Sequence, residues 1–333
     1  MPLEVREQWL AKVQEDIVDP SRRIVDPHHH FFVAGGEFPF YDLDSLWGDT
    51  DTHNVEQTVF LQCWEGYRTD GPEELMPVGE TEWVDSIATQ ARARNGAAQI
   101  GAIMGTAELR LGAKVRPVLE AHCAASSLFR GIRLAGAWDA DEDIMSMPGL
   151  ENGNLYDDPA FREGFAVLDD MGLCFDAYQY HTQTKSLTAL AREFPNVNIV
   201  NDHLGTPLGT GPYVGQSDAV FDEWARDLAD QASCPNMYMK LGGLAMPWNG
   251  FGFEDQPQPP SSDDIVAAQS RYYHKAIELF GPERCMFESN FPVDKCALSY
   301  TVLWNAFKKM AAQYTEAEQD ALFRGTASRF YQL

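Results

Sequence analysis

The 333-residue sequence has no CxxC pair, no apolar run long enough to cross a membrane, no Gly/Ser-rich linker, and half as many basic as acidic side chains. Each absence removes a class of protein. The six cysteines, Cys63, Cys123, Cys174, Cys234, Cys285 and Cys296, are widely spaced, and several sit inside apolar runs. Free buried thiols are therefore expected in place of a disulfide framework or a cysteine-rich metal site. With 25 Lys and Arg against 50 Asp and Glu, the formal charge is −25. That excludes nucleic acid and anionic membranes as partners, since both demand clustered cations. A small molecule is the expected ligand, and any carboxylate on it must be captured locally by a placed Arg. The opening MPLEVREQWLAKVQEDIVDP mixes charges through an amphipathic pattern and lacks the apolar core of a secretory leader. It reads as an N-terminal helical extension over residues 1–22 of a cytoplasmic protein.

What is present is an alternation. Short apolar runs recur at Arg23–Pro27, Thr58–Trp64, Gln99–Gly105, Phe129–Leu134, Leu173–Tyr180, Val197–Asp202, Met237–Leu241 and Arg284–Glu288. Helical patterns fall between and after them, at Glu80–Asn95, Gly112–Ser126, Pro159–Met171, Thr184–Phe194, Gln216–Ala232, Ser262–Phe280 and Tyr300–Gln313. Eight such strands predict an α/β chain closed as a (β/α)8 barrel, one domain over residues 1–333. An open dinucleotide-binding sheet usually carries a glycine-rich turn after its first strand, whereas here that strand runs into DPHHH. The Pro-rich stretch Phe251–Ser262 is either a lid over the catalytic face or a long surface loop.

Polar residues collect at the strand ends, which in a barrel form the catalytic rim. In an extended backbone His28 and His30 share a face with Asp26 while His29 points away. Two convergent imidazoles make half a site for Zn2+ or a similar divalent ion. His181 in YQYHTQ is the candidate for a further metal ligand, and His203 in NDHLGTP for a ligand or acid/base role. Arg133 in RGIRLAG would hold a substrate carboxylate or oxyanion or else a structural ion pair, and Lys240 in MKLGGL reads as an inward ion-pair partner. Gln62, Trp64, Tyr67 and Tyr180 would line the substrate wall.

Together IVDPHHHFF, GIRL, NDHLGTPLG, KLGGLAM, RCMFESNFPVDK and LFRGTASRFYQL resemble the amidohydrolase-related family of barrel-fold, metal-dependent hydrolases, which includes sugar-lactone and pyrone-dicarboxylate lactonases. The resemblance covers nearly the whole chain. It implies hydrolysis of a small lactone by activated water, at a divalent-ion site, zinc above all, formed by His28, His30 and His181. A non-oxidative decarboxylase or hydratase of a small unsaturated or aromatic acid is the alternative on the same site, and a barrel that only binds a small molecule is a third. One departure bears on mechanism. Where the family carries Asp in a GSD-like turn after strand eight, this chain has Asn290, which cannot serve as a base. That leaves His203 or Asp294 to take the proton, with Asn290 as a neighbour, and opens a metal-free site as another route. Apolar loops are compatible with a homo-oligomer.

Overall fold

A computed structural model describes residues 3–36 and 38–333. Eight parallel strands pair in chain order, β1 (Ile24–His29), β2 (Val55–Leu61), β3 (Gln99–Gly105), β4 (Phe129–Ala135), β5 (Cys174–Tyr178), β6 (Ile199–Asn201), β7 (Met237–Leu241) and β8 (Cys285–Phe287). The segment after β8 closes the ring, with His30 N–H donating to Phe291 O at 2.8 Å and Asn290 N–H to His28 O at 3.1 Å. The helices are α1 (Glu7–Leu10), α2 (Leu43–Thr50), α3 (Val78–Ala91), α4 (Arg116–Ala125), α5 (Pro159–Met171), α6 (Thr184–Glu193), α7 (Ser217–Ala232), α8 (Ser262–Phe280), α9 (Tyr300–Ala311), α10 (Glu316–Asp320) and α11 (Thr326–Tyr331). This is the (β/α)8 barrel that the alternation predicts.

Period-two alternation sorts each strand into two faces. Outward residues such as Ile24, Phe60, Ile103, Ile132 and Phe175 join the helices in one large buried cluster. Inward residues, among them Val25, Val59, Leu61, Ala102, Met104, Val200 and Met286, fill the barrel together with Ala327, Phe330 and Tyr331 of α11. Continuing the inward parity places Asp176 and Tyr178 after Cys174, Asp202 after Val200, Glu288 after Met286, and Arg133 on β4. The apolar floor thus gives way to charged groups toward the strands' C-terminal ends.

The N-terminal extension departs from expectation. Among its described residues, 3–22, Glu7–Leu10 is the helical part, and the others form a strap whose bonding groups find partners far along the chain. Trp9 Nε1 donates to Gln256 O (3.0 Å), Lys12 Nζ to Pro257 O (2.9 Å), and Glu15 accepts from Ser262 N (2.7 Å) and Asn305 Nδ2 (3.0 Å). An amphipathic pattern is thereby satisfied without a continuous helix. The same contacts anchor the Pro-rich loop, whose Phe251 and Phe253 stack at 5.8 Å against the core, so this loop is held in place. Five cysteines are free and buried, whereas Cys123 is free and exposed on α4. No helix among the described residues is long and apolar enough to cross a membrane.

Candidate active site

Pro27 shapes the start of the site. It has no N–H for the ladder, the β1–β2 register shifts between Asp26 and His29, and the His28 N–H turns to Asp26 Oδ1 at 3.3 Å. The shift moves Asp26 off the histidine face, contrary to expectation. Its carboxylate instead accepts from Ser289 N (2.9 Å) and Tyr300 Oη (3.0 Å) and ties β1 to α9 behind the barrel. Burial pushes its pKa up to about 6 against those donors. His28 and His30 do point inward together, and His29 points outward, 3.1 Å from Thr58 Oγ1.

At the barrel's centre Lys240 Nζ lies 2.7 Å from Asp176 Oδ2, 3.1 Å from Asp202 Oδ1, 3.9 Å from Glu288 Oε2 and 3.2 Å from His28 Nδ1. Tyr331 closes the network from below, its hydroxyl 2.7 Å from Asp176 Oδ2. All five of these charged or imidazole side chains are fully buried. Burial alone would lower the lysine pKa, but the three carboxylates outweigh it and hold the ammonium above its ordinary value. Burial likewise opposes the Asp202 carboxylate, yet Lys240, His203 and Arg133 keep its pKa low.

His203 stands on a left-handed stretch, with φ of 56° at His203, 57° at Leu204 and 43° at Thr206. Backbone of this kind costs on the order of 1–3 kcal/mol per non-glycine residue and persists where the surroundings dictate it. Here Glu288 Oε1 takes both the His203 N–H (3.0 Å) and Nδ1–H (2.7 Å), and Trp224 Nε1 donates to Leu204 O (2.6 Å). The two glycines of KLGGL make room: a Cβ on Gly243 would meet the His203 ring at 2.3 Å, and one on Gly242 would meet Glu288 O at 2.3 Å.

A cavity of about 500 Å³ opens over this centre at the strands' C-terminal ends. Of the expected residues, His30, Gln62, Trp64, Arg133, His203 and Asn290 line it. Asp294 does not. The turn folds back as required, with Asp294 N–H on Asn290 O at 3.1 Å, but it sets the carboxylate behind Asn290, where Oδ1 accepts from Asn290 Nδ2 at 2.8 Å. Burial pushes its pKa up to about 7. Asp294 therefore orients the Asn290 amide, leaving the amide oxygen for the cavity. Tyr180 is also displaced from the wall: it stands behind Tyr178, ring centres 6.3 Å apart, with its hydroxyl on Met145 O, and Tyr178 takes the lining position. His181 lies outside the cluster of metal-competent side chains, its Nδ1 accepting from Leu208 N (3.3 Å) and its ring edge-on to Tyr213. Tyr67 lies outside the cavity wall.

The residues present fit a divalent cation. His30 donates Nδ1–H to Leu61 O (2.9 Å), leaving Nε2 as a lone pair 3.1 Å from His28 Nε2. His28 Nδ1 is 2.8 Å from Glu288 Oε2. Burial, joined by Lys240 for His28 and Arg133 for His30, pushes both imidazole pKa values well down, so both rings are neutral. Two nitrogens bound to one tetrahedral zinc at about 2.0–2.1 Å would stand roughly 3.3 Å apart. Ligand atoms of His28, Asp202 and His203 lie within 4.8 Å of one another, and Asp202 Oδ1 and Glu288 Oε2 are buried without an aligned donor. Among the described residues the Lys and Arg side chains paired with Asp176, Asp202 and Glu288 are Lys240 and Arg133, and a cation on the histidines would offset the surplus negative charge of the three carboxylates.

Two acidic residues to which the sequence pattern assigns no role prove central. Asp176, in the apolar run of β5, and Glu288, directly after that of β8, are each a lone carboxylate, a pattern that demands a buried cationic or N–H partner. Glu80, at the start of α3, is the third surprise: Oε1 accepts from Cys63 N (3.0 Å) and Glu65 N (2.9 Å) and fixes the turn carrying Trp64. Burial pushes its pKa up to about 7, against an ordinary value of 4.5. The native state thus keeps a proton that the unfolded chain releases, and this contribution to stability, full below pH 4.5, is lost as pH rises through 7. Wild type should lose up to about 3 kcal/mol more stability than Glu80→Gln between pH 5 and pH 8, by denaturant unfolding. Equal losses in both proteins would show that Glu80 does not titrate in this range.

The amidohydrolase family model matches residues 25–333. The chain belongs to the amidohydrolase family. A protein of Sinorhizobium fredii named y4mH is 29% identical over 331 residues, covering 93% of this chain and 98% of that protein. An L-fucono-1,5-lactonase of Burkholderia multivorans is 26% identical over 275 residues, covering 79% of this chain and 86% of the lactonase. Among solved structures, an amidohydrolase from Burkholderia multivorans with bound HEPES superposes with a TM-score of 0.72 at 22% identity, covering 94% of this chain and all of that one. A second crystal form, which holds zinc, gives 0.71 at the same identity and coverage. At that identity the superpositions establish the fold.

Proposed function

We propose that this protein opens the ring of a small lactone by adding water to its carbonyl carbon. The observation that carries the reading is the His203–Glu288 pair at the cavity floor. With Nδ1–H committed to Glu288, Nε2 is the basic nitrogen of His203 and the one left for the cavity. His203 takes a proton from the attacking water as its oxygen bonds to the carbonyl carbon. The ring C–O bond then breaks, and the same imidazolium returns the proton to the departing alkoxide, giving a hydroxy acid. Arg133, braced by Asp202 at 3.4 Å and lying 5.0 Å over the Tyr178 ring, faces the developing oxyanion or a substrate carboxylate. Asn290 contributes an amide oxygen that orients the water, while the proton goes to His203. His28 and His30 would hold a divalent ion, which when bound supplies Lewis-acid polarisation of the carbonyl. The lactonase names among the relatives support the hydrolytic class.

The test is a pH-stat assay over a panel of γ- and δ-lactones, with metal content measured on the same preparation. Base uptake matching product hydroxy acid is the expected outcome, with about one equivalent of divalent ion that His28→Ala and His30→Ala both lose. Release of CO2 from aromatic acids with no lactone turned over would replace the hydrolase by a decarboxylase.

A further inference from the structure

The cavity is divided by chemistry. Its floor is polar and comes from strand ends: His30 after β1, Gln62 after β2, Arg133 on β4, His203 after β6 and Asn290 after β8. Its walls are carbon and come from the loops and the strap, among them Phe32, Phe38, Trp64, Met147, Met246 and Trp248. Phe32 and Phe38 stack at 4.5 Å, a pre-formed aromatic wall. Trp64 and Met145 remain 48% and 41% exposed, so the apolar surface continues to the mouth. Among the described residues, the buried polar atoms at this cavity without a well-aligned partner are Gln62 Oε1, Tyr178 Oη and Trp248 Nε1, and the last two face each other. With the floor's His30, Arg133, His203 and Asn290 they offer partners to a small polar head.

We infer that the substrate is a lactone bearing an apolar body, an aryl or medium-length alkyl substituent, in place of the polyhydroxylated ring of a sugar lactone. This rests on the hydrolase reading above and adds the substrate class to it. The ester head, with at most one anionic or hydroxyl group, sits on the floor beside Arg133 and His203. The body stands against Phe32, Phe38 and Met147 and extends past Trp64 and Met145 toward solvent. A sugar lactone would turn its hydroxyls onto the same carbon walls, where each unpaired hydroxyl costs about tenfold in affinity or more. The L-fucono-1,5-lactonases among the relatives are named for such a ring. By the chemistry of its cavity this chain parts from them. Arg133 remains free to accept a carboxylate on the head, since its Nε alone is taken by Asp202.

The experiment separates binding from turnover. Two non-hydrolysable δ-lactams of equal ring size, one phenyl-substituted and one trihydroxylated, are titrated into the full-length protein by calorimetry, and the two matching lactones are assayed by pH-stat. The phenyl lactam should bind at least about 100-fold more tightly, because two or more hydroxyls of its rival go unpaired. Phe38→Ala should weaken the phenyl lactam by about tenfold, with the preference narrowing accordingly. Equal or tighter binding of the trihydroxylated lactam overturns the inference, and the hydrolase reading survives if either lactone is opened. Tighter binding of the phenyl lactam with neither lactone opened upholds the apolar-body pocket and overturns the hydrolase reading instead.

Discussion

His203→Ala is expected to lower kcat for lactone opening by about 10²–10⁴-fold, the usual contribution of a placed general base. KM should change little, because the imidazole's contact is made to the attacking water. The carboxylate behind it makes the test sharper. Glu288 Oε1 accepts both the ring Nδ1–H and the backbone N–H of His203, so it sets the tautomer and also holds the residue in its left-handed conformation. Glu288→Gln can still accept one of these bonds but cannot stabilise the imidazolium, and about 10–100-fold of kcat should go with it. Groups that act as a unit lose activity non-additively. The double variant should therefore fall no lower than His203→Ala alone. A His203→Ala protein that keeps its fold by circular dichroism and turns over within threefold of wild type would remove His203 as base and return the question to Asn290 and Asp294.

The departure at Asn290 explains why so much rests on this pair. The amide offers no basic site, and the nearest carboxylate, Asp294, is spent on holding that amide. Glu288, two residues before Asn290, reaches His203 and His28 with one oxygen each. A negative group is thus kept at the end of β8, but it acts through an imidazole.

How much of this was legible in the chain follows from which interactions are local. Strand alternation is a property of neighbouring residues, and β3, β7, α5 and α8 match their sequence boundaries. The run TVFLQCW misled by three residues because what ends β2 is distant: Glu80 captures the N–H groups of Cys63 and Glu65, and Trp64 takes a φ of 66°. Alternation puts Asp26 on the wrong face because it assumes an unbroken ladder, which Pro27 interrupts. Tyr180 and His181 lie beyond β5, which ends at Tyr178 before a tight helical turn at His181–Gln183, so strand parity does not carry over to them. The strap at residues 3–23 satisfies its polar groups against the loop around residue 256 and α9, partners that no window along the chain contains. The histidines were legible for the opposite reason, since period two and the strand position alone bring His28 and His30 together.

Lys240→Met is expected to cost about 3–5 kcal/mol of stability, the usual loss when one partner of a buried ion pair is removed. For a chain of this size that corresponds to a fall in Tm of about 4–7 °C. Two large opposing contributions decide the size of the loss. In the intact network the Coulomb attraction across 2.7 Å to Asp176, about 6 kcal/mol at an effective dielectric of 20, roughly repays the desolvation of both ions. Removing the ammonium abolishes the attraction and leaves Asp176 and Asp202 buried, each still charged or forced to take up a proton. Tyr331 and Arg133 are the donors that remain to them. Lys240→Met combined with Asp176→Asn should recover part of the loss, since one of the stranded charges goes with its partner. A single variant within 1 kcal/mol of wild type would mean that these carboxylates are already protonated in the native state. The surplus negative charge on which the divalent-ion fit at His28 and His30 depends would then be absent as well, so the stability measurement also tests the site.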